Sequence, residues 1–273
     1  MPIDFEINPQ LSRHRVISLV GGGGKTTLMF RMAREFSAQG KRVISTTTTK
    51  IHYPRAQQTG AVILTQSAGT SLPDQLERQL AEKGHITLAA GELLPKQKLQ
   101  GIRPGLVGRL SEQGIADHII VEADGAARKP FKAPADHEPA LPSATSLLIA
   151  VVGLDVVGKP LDAQWVHRPE AVGQLTGLVP GEVIQEDHVA TVSAHPRGLM
   201  KDLPPGAAGW VFLNKADEPG RMDQAREIAG MLIRRGRRQP RKVIIGAAAQ
   251  KEWIQMVYEM SEGADRQTPE AGS

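Results

Sequence analysis

The sequence predicts an α/β fold of the P-loop NTPase-like kind: a mostly parallel sheet with helices on both faces and a helical insertion. Three observations carry that expectation. Short β-rich runs, RVISLV, KRVIST, HIIVEA, SLLIAVVG, GWVFLN and RKVIIGA, alternate with helical patterns, as crossover-connected parallel strands do. The first of them ends in VGGGGKTTL, residues 20–28. Later runs end in hydroxyls, carboxylates or an Asn-Lys pair, at the strand ends where an α/β sheet meets its ligand.

The elements follow in order. Between Lys25 and Gln39 the apolar positions Leu28, Phe30, Met32, Ala33 and Phe36 form a stripe for burial, and Gly40 supplies a stop. The glycines therefore lie between a strand and a helix. Residues 153–208, rich in Gly, Pro and His, interrupt the alternation and read as a helical insertion. Residues 1–262 read as one domain and the polar end 263–273 as a disordered tail.

Composition narrows the chemistry. The 273 residues contain no cysteine, which excludes disulfides, thiolate metal sites and a catalytic or carrier thiol. No run reaches the ~18 apolar residues of a membrane span, and the first residues lack a basic stretch followed by an apolar one, so a cytoplasmic protein without a membrane partner is expected. The net charge of +4 is concentrated in IRRGRRQPRK, residues 233–242, and with 4% aromatics a solvated helix end is favoured there over a nucleic-acid surface.

A strand that runs through glycines into a helix points backbone N–H groups and the positive end of the helix dipole at one place, where an anion belongs. Gly21, Gly22, Gly23 and Gly24 let a phosphate approach the backbone closely. Lys25 can reach β- and γ-phosphate oxygens, and Thr26, followed by Thr27, can offer a hydroxyl to Mg²⁺. The standard G-x-x-x-x-G-K-[ST] spacing is not met, because Leu19 stands where its first glycine belongs. The shorter GxxGKTT form resembles loops of murein-precursor amide ligases, and the GKTT core resembles metal-chaperone GTPases and ATPases.

In Ser45-Thr46-Thr47-Thr48-Thr49-Lys50, one hydroxyl is expected to hold Mg²⁺ or the γ-phosphate; Thr48 is the working candidate, with the choice among the threonines open. Glu122 and Asp124 end the HIIVEA strand and are expected to bind the metal, directly or through water, and to order an attacking water. Lys129 and Lys132 follow in a segment that could meet phosphate. Asp136-His137-Glu138 is read as a polar loop rather than a metal cluster, because adjacent residues seldom point at one centre. Arg168 in HRPE is a candidate for neutralising charge on a transferred phosphoryl group.

Asn214-Lys215-Ala216-Asp217 resembles the NKxD guanine motif of GTPases, in which the aspartate accepts from guanine N1–H and the 2-amino group, the lysine stem covers the base and the asparagine braces the loop. A buried acceptor that only one base satisfies favours GTP over ATP. Ile245-Gly246-Ala247-Ala248 is either a backbone contact to the base or a small-residue turn.

Taken together, VGGGGKTT, STTTTKI, VEADGA with KAP and HEP, VVGLD, HRPE and NKAD closely resemble the YqeC family over about residues 14–250. That family is described as accessory to selenium-dependent molybdenum hydroxylases, in selenium cofactor biosynthesis. The resemblance implies a nucleotide-dependent role toward a molybdenum hydroxylase client or its cofactor-assembly proteins. Lacking cysteine, the chain cannot carry selenium on a thiol. A Mg²⁺-dependent GTP- or ATP-hydrolysing maturation factor is the leading expectation. A ligase or kinase acting on a small acceptor is the alternative, and a non-catalytic nucleotide-binding module is a third reading.

Overall fold

The computed structural model describes residues 10–235 and 240–259. The tail expected at 263–273 and the middle of the basic run lie outside these residues.

In chain order the elements are β1 (Val16–Gly21), α1 (Lys25–Ala38), β2 (Val43–Thr47), β3 (Lys50–His52), β4 (Val62–Leu64), α2 (Thr65–Ala68), α3 (Leu72–Lys83), β5 (His85–Ala89), β6 (Gly91–Leu93) and β7 (Lys98–Gln100). There follow α4 (Pro104–Glu112), β8 (His118–Glu122), β9 (Phe131–Lys132), β10 (Leu147–Gly153), β11 (Val166–His167), α5 (Pro169–Thr176) and α6 (Glu186–Ala194). The chain then forms β12 (Ala208–Asn214), α7 (Arg221–Arg234), β13 (Lys242–Gly246) and β14 (Ile254–Glu259).

Nine strands form one sheet in the order β14-β13-β12-β10-β1-β8-β2-β5-β4. Every neighbouring pair is parallel except β13 with β14. The predicted α/β class is therefore the observed one. The six strands read from the sequence, β13, β12, β10, β1, β8 and β2, occupy consecutive places at the sheet's centre, where burial on both faces demands unbroken apolar runs.

Period-two alternation divides the core into two. On one face Val16 and Val20 of β1, with Leu148, Ala150 and Val152 of β10, pack with Leu76 and Leu80 of α3, Val107 and Leu110 of α4, and Ile228 and Leu232 of α7. On the other, Ile17 and Leu19 of β1, with Leu147, Ile149 and Val151 of β10, meet the α1 stripe of Leu28, Met29, Met32, Ala33 and Phe36. The antiparallel sheet β3-β7-β6 extends that second layer through Ile51 and Leu99.

Between β10 and β12 lie α5 and α6, whose Val172, Val189 and Val192 join the first core. Helix α5 starts with Pro169 in its first turn and stops at Gly177, which has φ 83° and donates its N–H to Gly173 O. Of the basic run's described part, Arg235 donates to Thr191 Oγ1 at 3.0 Å and Lys242 pairs with Glu259. No helix among the described residues is long and apolar enough to cross a membrane.

Candidate phosphate-binding site

The β1–α1 turn is built by its glycines. At Gly21, φ is +93° and a Cβ would stand 2.2 Å from Val151 O, so the strand can run alongside β10 to its last residue only without a side chain. At Gly24, φ is +128° and a Cβ would stand 2.3 Å from Asn214 Nδ2. The first bond of the α1 ladder is donated by Leu28 N–H to Gly24 O, so the amides of Lys25, Thr26 and Thr27 precede it at the positive end of the helix.

Residues far apart in sequence converge on this turn. Lys25 Nζ donates to Gly21 O at 2.6 Å and lies 3.0 Å from Asp124 Oδ1 and 3.8 Å from Glu122 Oε1. Thr26 Oγ1 donates to Glu122 Oε2 at 2.7 Å. Asp124 Oδ2 accepts the Gly21 N–H at 3.0 Å. Parallel pairing explains the convergence: β8 lies beside β1, with Leu19 opposite Glu122, so the carboxylates at its end arrive where the glycine loop begins.

Burial and charge act against each other here. Burial pulls the Lys25 ammonium down, but Asp124 and Glu122 outweigh it and hold its pKa above the ordinary value. Burial pushes Glu122 up, and Lys25 with Thr26 only partly offsets the push. A desolvated carboxylate with incomplete compensation is relieved by a further cation.

Hydroxyls of the threonine run sort themselves by partner. Ser45 shares a hydrogen bond with Thr87, Thr46 Oγ1 donates to Leu88 O at 2.7 Å, and Thr47 Oγ1 donates to Glu122 O at 2.8 Å. Thr49 Oγ1 is 3.3 Å from Thr47 Oγ1. Thr48 Oγ1 is buried without a partner, while its backbone N–H donates to Glu122 O at 3.1 Å. Thr26, Thr48, Glu122 and Asp124 offer only oxygens, the donor type a hard cation takes, and a buried hydroxyl without a partner is an uncommon feature of a folded chain.

One expectation changes in detail. Not all the glycine amides are free for an anion: Gly22 N–H extends the β1–β10 ladder to Val151 O, and Gly23 N–H donates to Lys129 O, both at 2.9 Å. The Lys129–Pro130 backbone lies across the loop, with Gly153 N–H donating to Pro130 O at 3.0 Å. Lys129 Nζ points away and donates to Gln164 O at 2.8 Å.

The NKAD segment reaches the same turn. Asn214 Nδ2 donates to Gly23 O at 2.7 Å and its Oδ1 accepts from Ala248 N–H at 2.9 Å, so one amide braces two loops. Lys215, with φ 69°, pairs with Asp155. Asp217 is exposed, with Oδ2 accepting from Gln250 Nε2 at 2.7 Å. Ala216 N–H donates to Gly246 O, which sets Ile245–Ala248 beside the motif.

The structure places Arg168 on Glu138. Its guanidinium makes a two-point contact with Glu138, Nη1 to Oε2 at 2.6 Å and Nη2 to Oε1 at 3.2 Å, because a fork of donors matches a carboxylate's two oxygens. Asp136 and His137 are exposed at a turn closed by the Glu138 N–H donating to Ala135 O at 3.0 Å, and only Glu138 turns inward. Lys132 is 0% exposed, with Nζ 2.7 Å from Gly125 O, 2.5 Å from Glu138 Oε2 and 3.1 Å from Asp124 Oδ2. Sequence reasoning missed the pairing of Lys132 with Glu138. The signal available was two opposite charges flanking an apolar-to-polar change in KPFKAPADHEP, which fixes no partner by itself.

A family model described as YqeC protein matches residues 17–170. Protein YqeC of Escherichia coli (strain K12) is 32% identical over 203 residues, covering 74% of this chain and 77% of that protein. Among solved structures, chloroplast FtsY from Physcomitrella patens is similar with a TM-score of 0.42 at 15% identity, over 88% of this chain and 61% of that one. The 54 kDa signal recognition particle protein from Aeropyrum pernix K1, in complex with GDP, gives 0.37 at 16% identity, over 85% and 41%. The chain thus spans less than two thirds of the length of either solved structure.

Proposed function

The chain belongs to the YqeC family, and from that premise we propose that it binds a nucleoside triphosphate with Mg²⁺ and couples its hydrolysis to the maturation of selenium-dependent molybdenum hydroxylases. The observation that carries the nucleotide reading is the meeting of Lys25 and Thr26 with Glu122 and Asp124 at one glycine turn. The client follows from the family resemblance.

In this reading Lys25 exchanges its carboxylate partners for phosphate oxygens, and the α1 amides hold the same anion. Thr26, Thr48, Glu122 and Asp124 are the oxygens that would hold the metal. When bound, Mg²⁺ neutralises phosphate charge. Glu122 or Asp124 accepts a hydrogen bond from, and so orients, the attacking water. Asn214 keeps the glycine loop and the Ala248 loop in register, and Asp217 presents a carboxylate that guanine N1–H and 2-amino donors match and adenine does not. GTP is therefore the preferred base in this proposal.

Equilibrium binding of GTP and ATP with Mg²⁺ to wild type, Lys25→Ala and Asp217→Ala tests it. The expected outcome is GTP preference in wild type, its loss in Asp217→Ala, and loss of both ligands in Lys25→Ala. Equal or tighter ATP binding that ignores Asp217 removes the guanine assignment. A phosphorylated small molecule among the products, instead of free phosphate, replaces hydrolysis with the kinase or ligase reaction.

A further inference from the structure

The buried charges do not end at the glycine turn. Asp124 lies between two lysines, Lys25 at 3.0 Å and Lys132 at 3.1 Å. Lys132 is shared in turn with Glu138, and Glu138 is shared with Arg168, the residue that opens α5 in the inserted region. Lys201, also inserted between β10 and β12, clamps the Glu138 segment by donating to Ala135 O, Asp136 O and Glu138 O. Charge alternates along the row, and only its Arg168 end reaches solvent appreciably, with that side chain 31% exposed against 0% for Lys132.

We propose that Arg168 is a positioning residue for Asp124, acting through Glu138 and Lys132, so that the insertion sets how readily Lys25 is released to a phosphate. The proposal rests on the nucleotide reading of the site for its consequence, though not for its geometry. With Arg168 in place, Glu138 is satisfied from two sides and Lys132 remains shared with Asp124. Without Arg168, Glu138 draws Lys132 toward itself. Asp124 then has Lys25 as its main counter-charge and holds it more tightly, and a phosphate must compete harder for the same ammonium. Whatever binds the insertion and takes hold of the Arg168 guanidinium, which an acidic side chain of a partner would do, produces the same change. A partner on the insertion would thereby lower nucleotide affinity, which is the behaviour of a release factor.

Two readouts on the full chain test this. In the ligand-free protein, the Gly21 amide donates to Asp124 Oδ2 at 3.0 Å, so its hydrogen exchange reports where Asp124 sits. Arg168→Gln should accelerate Gly21 exchange by about fivefold or more while Leu19 in the same strand is unchanged, and Arg168→Lys should restore most of the protection. Affinity for Mg²⁺-GTP should fall by a similar factor of about five in Arg168→Gln, and this effect should disappear in an Asp124→Asn background. Glu138→Gln, which removes the charge that competes with Asp124 for Lys132, should leave Gly21 exchange and Mg²⁺-GTP affinity no worse than in wild type, and a loss matching that of Arg168→Gln overturns the proposal. Unchanged Gly21 exchange in Arg168→Gln overturns the proposal, as does equal acceleration at Gly21 and Leu19, or an affinity loss of the same size in both backgrounds. If wild type binds neither GTP nor ATP, the nucleotide reading fails, and Gly21 exchange still decides whether Arg168 positions Asp124.

Discussion

Gly24 shows how much of the site depends on one missing carbon. Its φ of +128° disfavours any L side chain, and a Cβ would meet Asn214 Nδ2 at 2.3 Å. Gly24→Ala should therefore cost about 1–3 kcal/mol in urea denaturation and should also weaken nucleotide binding, because the displaced Asn214 amide no longer holds Gly23 O. Wild-type stability in that variant would show that the Asn214 brace is slack. Glu138 gives a second test through pH. Burial alone would raise its carboxyl pKa, but the hydrogen bonds and charges of Arg168 and Lys132 bring it from 4.5 down to about 2. A carboxylate depressed on folding contributes stability that is complete above its unfolded value and is lost as protons return. Wild type should lose stability as pH falls from 4.5 toward 2, and Glu138→Gln should flatten that part of the curve, though starting from a lower plateau. Parallel acid limbs for the two proteins would mean that Glu138 is not held as described.

Among the elements, α1 carries the most for its length, since it joins the phosphate turn to the second core. Phe36 is 1% exposed and stacks on His118 with ring centroids 4.0 Å apart and planes 13° from parallel. Truncating it leaves a cavity between helix and sheet, and Phe36→Ala should lower stability by about 3–5 kcal/mol in denaturant titration. A loss under about 1 kcal/mol would mean that the surroundings collapse into the space. The apolar stripe that places Phe36 was legible in the sequence, as were the six central strands, because burial on both faces leaves long apolar runs. What was not legible lies at the margins of the sheet. β5, HITLA, mixes His85 and Thr87 with apolar residues because those side chains form an internal polar ladder with Ser45, and no such pairing can be read from one strand alone. β14, IQMVYE, is an edge strand with mixed burial, and β3, β6 and β7 have three residues each, too few to establish a period. The site divided in the same way. Local residues, the glycines with Lys25 and Thr26, announced themselves by spacing, and Glu122 and Asp124 by ending a strand. Arg168 stood out as a candidate for phosphoryl charge, but its partnership with Glu138 did not, since that is a matter of tertiary distance.

At the scale of the whole molecule, the Lys129–Pro130 backbone is the piece that must respond if a phosphate is to use the full glycine turn. Lys129 O holds the Gly23 amide, Pro130 O holds the Gly153 amide, and Lys129 Nζ is tied to Gln164 O in the insertion. The backbone just before it is held in an unfavourable conformation, with φ of 47° at Ala127 and 62° at Arg128. Phosphate oxygens that take the Gly23 amide displace Lys129 O, and the strained turn offers a way for the segment to relax as it lifts. Saturating Mg²⁺-GTP should then have two opposed effects in hydrogen exchange: α1 amides slow and the Gly153 amide quickens. Global stability should rise by about 2.7 kcal/mol at a ligand concentration one hundredfold above Kd. Lys25→Ala should abolish all three changes. If α1 slows while Gly153 does not quicken, the phosphates are held by the helix amides and Lys25 alone, and the segment over the loop is a fixed wall of the site. If both occur, the same displacement pulls on Gln164, and occupancy of the phosphate turn is transmitted mechanically to the inserted region as well as through its charges.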